Sequence, residues 1–270
     1  MYSTPVIKLL CLPLCLLVGG ALKSAAAQTC ADAPCLFSAI TAANADAAHK
    51  HSINLAEGQV FALASYFPSI EIDARITING NDSTLDGTGL RSVFFIGLAG
   101  NLTLNDVTLT NGTSTCISNN GGAVTLNGST ITGCHGTPFG GGGVVNVAGS
   151  LTLNNSTISN NTSSSSGGGI LNQATVILNN SAVTGNNAPG ALGGGISNSG
   201  DLTVNSSTIT GNGNLGPAAW GGGIFNLSTG TVTVNKSNIT GNAATLGAGI
   251  YNFGGTVTID KKSVVDSVYP

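Results

Sequence analysis

Residues 193–212 read Gly193-Gly-Gly-Ile-Ser-Asn198, then Ser-Gly-Asp, then Leu202-Thr-Val204, then Asn-Ser-Ser-Thr-Ile-Thr-Gly-Asn212. A glycine triplet opens into Ile-x-Asn, an apolar-polar-apolar triplet follows, and a second short triplet closes on Gly-Asn. The opening segment returns at Gly141-Gly-Gly-Val-Val-Asn146, Gly167-Gly-Gly-Ile-Leu-Asn172, Gly221-Gly-Gly-Ile-Phe-Asn226 and Gly247-Ala-Gly-Ile-Tyr-Asn252. Successive asparagines of the five segments are 26, 26, 28 and 26 residues apart. The second triplets are Leu151-Thr-Leu153, Val176-Ile-Leu178, Leu202-Thr-Val204, Val232-Thr-Val234 and Val257-Thr-Ile259. The third, of the form Ser-x-apolar, are centred on Ile158, Val183, Ile209 and Ile239. Shorter coils precede them at Leu102-Thr-Leu104 and Val124-Thr-Leu126.

Three short strands per period, separated by Gly/Asn corners, predict a right-handed, single-stranded parallel β-helix of about 26 residues per coil. Alternation within each triplet sends apolar side chains inward and Thr outward. A three-strand coil has no second layer on which to bury its interior, so each coil must lie on its neighbours. Gly and Asn accept the positive φ of tight corners. Asn146, Asn172, Asn198, Asn226 and Asn252 share one register, which predicts a ladder of stacked amides. A β-propeller also repeats, but its blades need about 40 residues.

Outward from the repeat, residues 101–260 form the regular helix, 261–270 a C-terminal tail, and 28–100 an N-terminal cap with irregular first coils. Solenoids need atypical ends to cover the first coil's open edge. Asp32-Ala-Pro34 is a helix start, and Leu36, Phe37, Ile40, Ala43 and Ala47 fall on one helical face. Residues 1–27 read as a signal peptide: Lys8, the apolar run Leu9 to Val18, and the small-residue site Ala25-Ala26-Ala27. That apolar run is too short to span a bilayer, so cleavage leaves no transmembrane span. The expectation is a secreted or cell-surface protein of the cell envelope.

Without Lys8 and Lys23 the chain has six basic and eleven acidic residues, a net charge of −5. That balance disfavours nucleic acid, which needs a basic face. Cys30, Cys35, Cys116 and Cys134 remain after cleavage, and an even count in an exported chain favours disulfides. Proximity pairs Cys30 with Cys35 and Cys116 with Cys134, although three connectivities are possible.

The Gly-Gly-Gly-Ile-x-Asn segments, followed by Leu-Thr-Val and Ser-Thr-Ile-Thr-Gly-Asn, resemble the repeats of bacterial right-handed β-helix proteins of the pectin-lyase-like superfamily. They are closest to adhesin passengers of the polymorphic outer membrane protein type, whose Phe-x-x-Asn motif Phe225-Asn226 approximates. Leu36-Phe-Ser-Ala-Ile-Thr-Ala-Ala-Asn44 is similar to the Leu-Arg-Glu-Ala-Ile-x-x-Ala-Asn signature ahead of such helices, with Phe37 and Ser38 in place of its Arg and Glu. The resemblance implies a fold that hosts both polysaccharide enzymes and adhesins.

Lyases and hydrolases on such a fold need paired carboxylates or an acidic Ca²⁺ cage with a basic proton acceptor. From Gly121 to Ile259 the only Asp, Glu, Lys, Arg or His residues are His135, Asp201 and Lys236. Asp201 and Lys236 read as solvated, and His135 beside Cys134 is too sparse a set for zinc. Elsewhere Glu57, Glu71, Asp73 with Arg75, and Asp82 with Asp86 read as loop and turn residues. Asp260, Lys261 and Lys262 charge the terminal edge. No catalytic residue, metal ligand or cofactor is expected. The expected function is a non-enzymatic, adhesin-like scaffold whose Thr/Ser/Asn-rich face contacts cell-surface glycans or host and matrix components. Polysaccharide cleavage is one alternative. Ice binding by the outward Thr-x-Thr array, from Thr108-x-Thr110 to Asn238-x-Thr240 and interrupted at Ala182 and Asn238, is another.

Overall fold

The computed structural model describes residues 28–63, 69–137, 140–214, 216 and 219–270. The leader expected over 1–27, with Cys11 and Cys15, lies outside them. About nine coils of about 26 residues stack into one parallel solenoid with three faces. The first face takes one strand from each coil, for example Ile170–Asn172, Ile196–Asn198 and Ile224–Asn226. The second takes Thr175–Asn179, Asp201–Asn205 and Thr231–Asn235. The third takes Ala182–Thr184, Thr208–Thr210 and Asn238–Thr240. Every pairing between coils is parallel and almost all are in register, as in Ile170↔Ile196↔Ile224 and Val183↔Ile209↔Ile239.

The interior follows from the alternation. In the coil at 196–212, Ile196, Leu202, Val204 and Ile209 point inward and are at most 1% exposed. Their equivalents in neighbouring coils lie directly above and below, so each branched side chain packs on its own kind. The glycine triplet makes the corner that leads into the first face. Gly193 has φ +72°, where a side chain would be strained, and a Cβ on Gly195 would meet the carbonyl oxygen of Gly223 at 2.6 Å. The corner between the second and third faces is held by Asn155, Asn180, Ser206 and Lys236, each with φ between +47° and +49°. Lys236 is thus a left-handed corner residue, not a strand residue.

Three polar columns run through the buried corners. Asn119, Asn146, Asn172, Asn198, Asn226 and Asn252 donate amide to amide up the stack at 2.8–2.9 Å. Asn198 Nδ2 also donates to the carbonyls of Gly200 and Thr231, tying the side-chain ladder to the backbone of two coils. Asn161, Asn186, Asn212 and Asn242 form a second buried ladder at 2.9–3.0 Å. The N–H groups of Ser129, Ser156, Ser181, Ser207 and Ser237 each donate to the serine Oγ of the next coil at 3.0–3.1 Å. The first rung is incomplete: Asn119 Oδ1 is buried without a partner because Ile96 occupies that register one coil earlier.

The N-terminal end is covered by the helix Ala33–Ala45, whose N-cap Asp32 accepts from the Cys35 N–H at 2.9 Å. Leu36, Ile40 and Ala43 are buried beneath it, while Phe37 is exposed. Cys30–Cys35 ties the first strand to this helix, and Cys116–Cys134 joins the start of the first face to the end of the third. In-register pairing begins with the first strand, Gln28 against Ile53, and continues with Lys50 against Arg75, so residues 50–100 already carry coils; what they lack is the glycine-triplet corner. At the other end Ile259 and Val268 are 36% and 46% exposed. No helix among the described residues is long and apolar enough to cross a membrane.

Replacing a buried amide strands its neighbours. Asn198→Ala leaves Asn172 Nδ2 without its amide acceptor and Asn226 Oδ1 without its amide donor, and is expected to cost about 2–4 kcal/mol. Asn205→Ala on the wet outer surface should cost about 1 kcal/mol or less, because water replaces the lost bond. Urea titrations followed by circular dichroism compare the two.

Candidate functional site

Function on a stack of this kind resides in the side chains that point out of each face and in the connections that cover or expose them. On the first face the outward residues form one column through successive coils: Glu71, Phe95, Ser118, Val145, Leu171, Ser197, Phe225 and Tyr251. The connections from the third face to the first differ along the stack. In the later coils they carry an extra column, Ser166, Leu192, Trp220 and Leu246, joined by parallel bridges. This column folds over the first face. The Trp220 ring stacks on Tyr251 at 5.4 Å and on Phe225 at 6.3 Å, leaving Phe225 only 2% exposed.

In the earlier coils the connections are shorter and the column stays open. A groove of about 470 Å³ results, with Glu71, Phe95, Ser118 and Val145 along its floor. Arg91, Ser114, Thr115, Thr137 and Val147 stand at its walls. Glu71, one coil before Phe95, and Arg91, on the connection leading into Phe95's strand, are both exposed, and Phe95 is half-buried. The described ion pairs involve only Asp46 with His49 and His51, so the two groove charges are committed to neither each other nor another charge. An aromatic surface flanked by one cation, one anion and several hydroxyls can hold a polar, ring-shaped ligand by stacking and hydrogen bonds.

The second face carries a file of Thr103, Thr125, Thr152, Thr203 and Thr233, interrupted by Ile177 between Thr152 and Thr203, beside a further amide ladder. In it Asn79, Asn105, Asn127, Asn154, Asn179, Asn205 and Asn235 each donate to the amide one coil earlier at 2.7–3.0 Å. The buried ladder runs the opposite way. Asn closes nearly every second-face strand, so this outer ladder had a visible signal in the repeat. The groove had none, since its residues come from four coils and share no motif.

The structure separates most of the charged pairs considered from the sequence. Arg75 Nη2 donates to the Ala48 carbonyl at 2.7 Å, and the Asp73 N–H donates to Asn44 Oδ1 at 3.0 Å. Asp82 sits at a left-handed corner with Glu57, Asn81 and Asp106 around a shallow pocket. Asp86 lies at the far end of the same strand, accepting from Thr88 and Asn111. Asp201 is exposed at the start of its second-face strand, in register with Thr175 and Thr231. His135 pairs in a two-residue strand with Thr162, while Cys134 is in its disulfide. No group of three or more His, Cys, Asp and Glu residues is arranged to hold a metal among the described residues.

A family model described as the right-handed β-helix region matches residues 92–264. The chain belongs to the right-handed β-helix family. No curated protein and no solved structure matches it. The match covers the regular coils of the β-helix and most of the groove wall, and leaves Glu71, Arg91 and the helical cap outside.

Two carboxylates of this β-helix titrate abnormally, and both are structural. Burial pushes Asp86 up, but the hydrogen bonds from Thr88 and Asn111 outweigh it and hold the carboxyl below its ordinary value. Asp260 is lowered by the Ser263 hydroxyl first and, against an opposing desolvation effect, by the N–H groups of Lys236, Lys262 and Ser263. Asp260 therefore closes the corner of the preceding coil besides charging the edge. Groups with lowered folded values contribute stability that is present above the ordinary carboxylate range and lost as pH falls through the folded value. The thermal midpoint should drop as pH is taken below about 4, and Asp86→Asn should flatten part of that drop. Circular dichroism melts across the acid range provide the check.

Proposed function

We propose that this β-helix is an exported, non-enzymatic, adhesin-like scaffold that binds glycans of a cell surface or matrix. The observation that carries the reading is the open groove on the first face, which Phe95 lines together with Glu71, Arg91 and several Ser and Thr residues. A pyranose ring stacks its apolar face on Phe95, and its hydroxyls find donors and acceptors on either side. Arg91 would favour a ligand carrying carboxylate or sulfate. The surrounding hydroxyl- and amide-rich faces extend the polar surface along the stack, and the ladders hold that surface rigid before any ligand arrives. Between Gly121 and Ile259 the single carboxylate is Asp201, which supports a binding role over cleavage along those coils, because acid–base hydrolysis of a glycosidic bond uses two.

Glycan-array screening of the mature chain, followed by calorimetry with the best neutral and acidic oligosaccharides, tests this reading. Phe95→Ala and Arg91→Ala are each expected to weaken binding about tenfold, equivalent to about 1.4 kcal/mol. Asp201→Asn, on another face, should leave it unchanged. Binding that ignores Phe95 and Arg91 would sink the assignment to the groove. Release of unsaturated or reducing ends from pectin, alginate or glycosaminoglycan would establish an enzyme instead.

A further inference from the structure

The third face differs from the other two in what its outward side chains are free to do. Its strands present two residues each, in two files that run up the stack in strict register: Thr108/Thr110, Thr130/Thr132, Thr157/Ser159, Ala182/Thr184, Thr208/Thr210 and Asn238/Thr240. The second file keeps a hydroxyl in all six coils, and no charged side chain interrupts either file over this span. On the second face, by contrast, the outward amides are consumed in their own ladder, and Lys50, Arg75 and Asp201 stand among them. On the first face the outward column is covered or grooved.

The third-face hydroxyls are not consumed. Apart from one long contact, Ser159 Oγ to Thr132 Oγ1 at 3.4 Å, they make no hydrogen bond to protein among the described residues. They also share an orientation. The Oγ1 atoms of Thr110, Thr184 and Thr210 lie 3.1, 3.8 and 3.3 Å from where a Cβ would stand on Gly133, Gly211 and Gly241, the corner glycines of the next coil. Each of these three hydroxyls therefore lies toward the next coil. Parallel strands repeat at about 4.8 Å and alternate residues of a strand are about 6.6 Å apart. The face thus presents two uncharged, in-register files of outward side chains, mostly Thr and Ser, whose spacing up the stack is close to the short oxygen repeat of ice.

We propose that this third face binds ice. Hydroxyls at lattice spacing anchor waters in fixed positions, and the methyls between them order the intervening water without competing for its hydrogen bonds. A charged side chain would impose its own hydration shell and break that order. A crystalline polysaccharide is the other periodic solid to consider. It is less favoured because this face offers no aromatic ring on which sugars stack. The inference is independent of the groove, which lies on a different face.

Partition of the fluorescently labelled mature chain into a slowly grown ice hemisphere, with recrystallisation inhibition as a second readout, tests the assignment. The native chain is expected to concentrate in the ice. The double variant Thr184→Lys/Thr210→Lys should be excluded to the level of an inert control protein, while Thr203→Lys, in the same coil on the second face, should partition like the native chain. If the lysine pair disturbs folding, as judged by circular dichroism, Thr132→Ala/Thr210→Ala removes the hydroxyls without adding bulk and should reduce partition in the same direction. Exclusion of the native chain from ice overturns the proposal. So does equal loss in Thr203→Lys, or retention on crystalline cellulose or chitin that the third-face variants abolish.

Discussion

A coil of about 26 residues in three short strands encloses almost no volume of its own, so its isoleucines and valines are buried only by the coils above and below. Everything else in the structure depends on that stacking being in register. One residue of slip would turn each Ile-x-Asn or Leu-Thr-Val segment inside out. Register is held at the corners, where glycine triplets allow one backbone to approach the next more closely than any side chain permits. Gly169, Gly195 and Gly223 lie in one such column, each close to the carbonyl of the glycine above.

Corners also create the main polar problem of the fold, since backbone groups that turn between sheets cannot pair in any strand. The chain answers with side chains that repeat at the same period as the corners. Each buried Asn satisfies its neighbour's amide and a local carbonyl at once, and the Ser column supplies an acceptor for an N–H that the corner would otherwise orphan. Such a column gives strong specification of register, because an apolar residue at one rung leaves a buried group unpaired in the next. Ile96 beneath Asn119 shows this cost at the single place where it is incurred among the described residues.

With interior and corners committed to stacking, the three outer surfaces are free to diverge. The connections decide the fate of the first face: in the later coils they bring Trp220 down over Phe225 and Tyr251, and in the earlier coils they leave Phe95 open in a groove with Glu71 and Arg91. The second face uses its amides on itself and becomes a rigid, self-satisfied wall. The third keeps its hydroxyls for the solvent. One repeat thus yields three chemically distinct surfaces without any change in the backbone that carries them.

The alternation of inward and outward residues, the period of the coil, the helix start at Asp32-Ala-Pro34 and the register of the buried Asn column are local or periodic properties, and the sequence by itself determined them. Other features depend on how far each connection reaches. The groove joins residues from four coils, one connection sets Trp220 on its aromatic neighbours, and Cys116 meets Cys134 only because one coil returns the chain to within 5.7 Å at Cα. The rigid ladder on the second face was written into the repeat, yet its opposite direction of donation was not. Only the tertiary structure decided these, because side chains a whole coil apart are brought together by corner geometry, which no short stretch of sequence encodes.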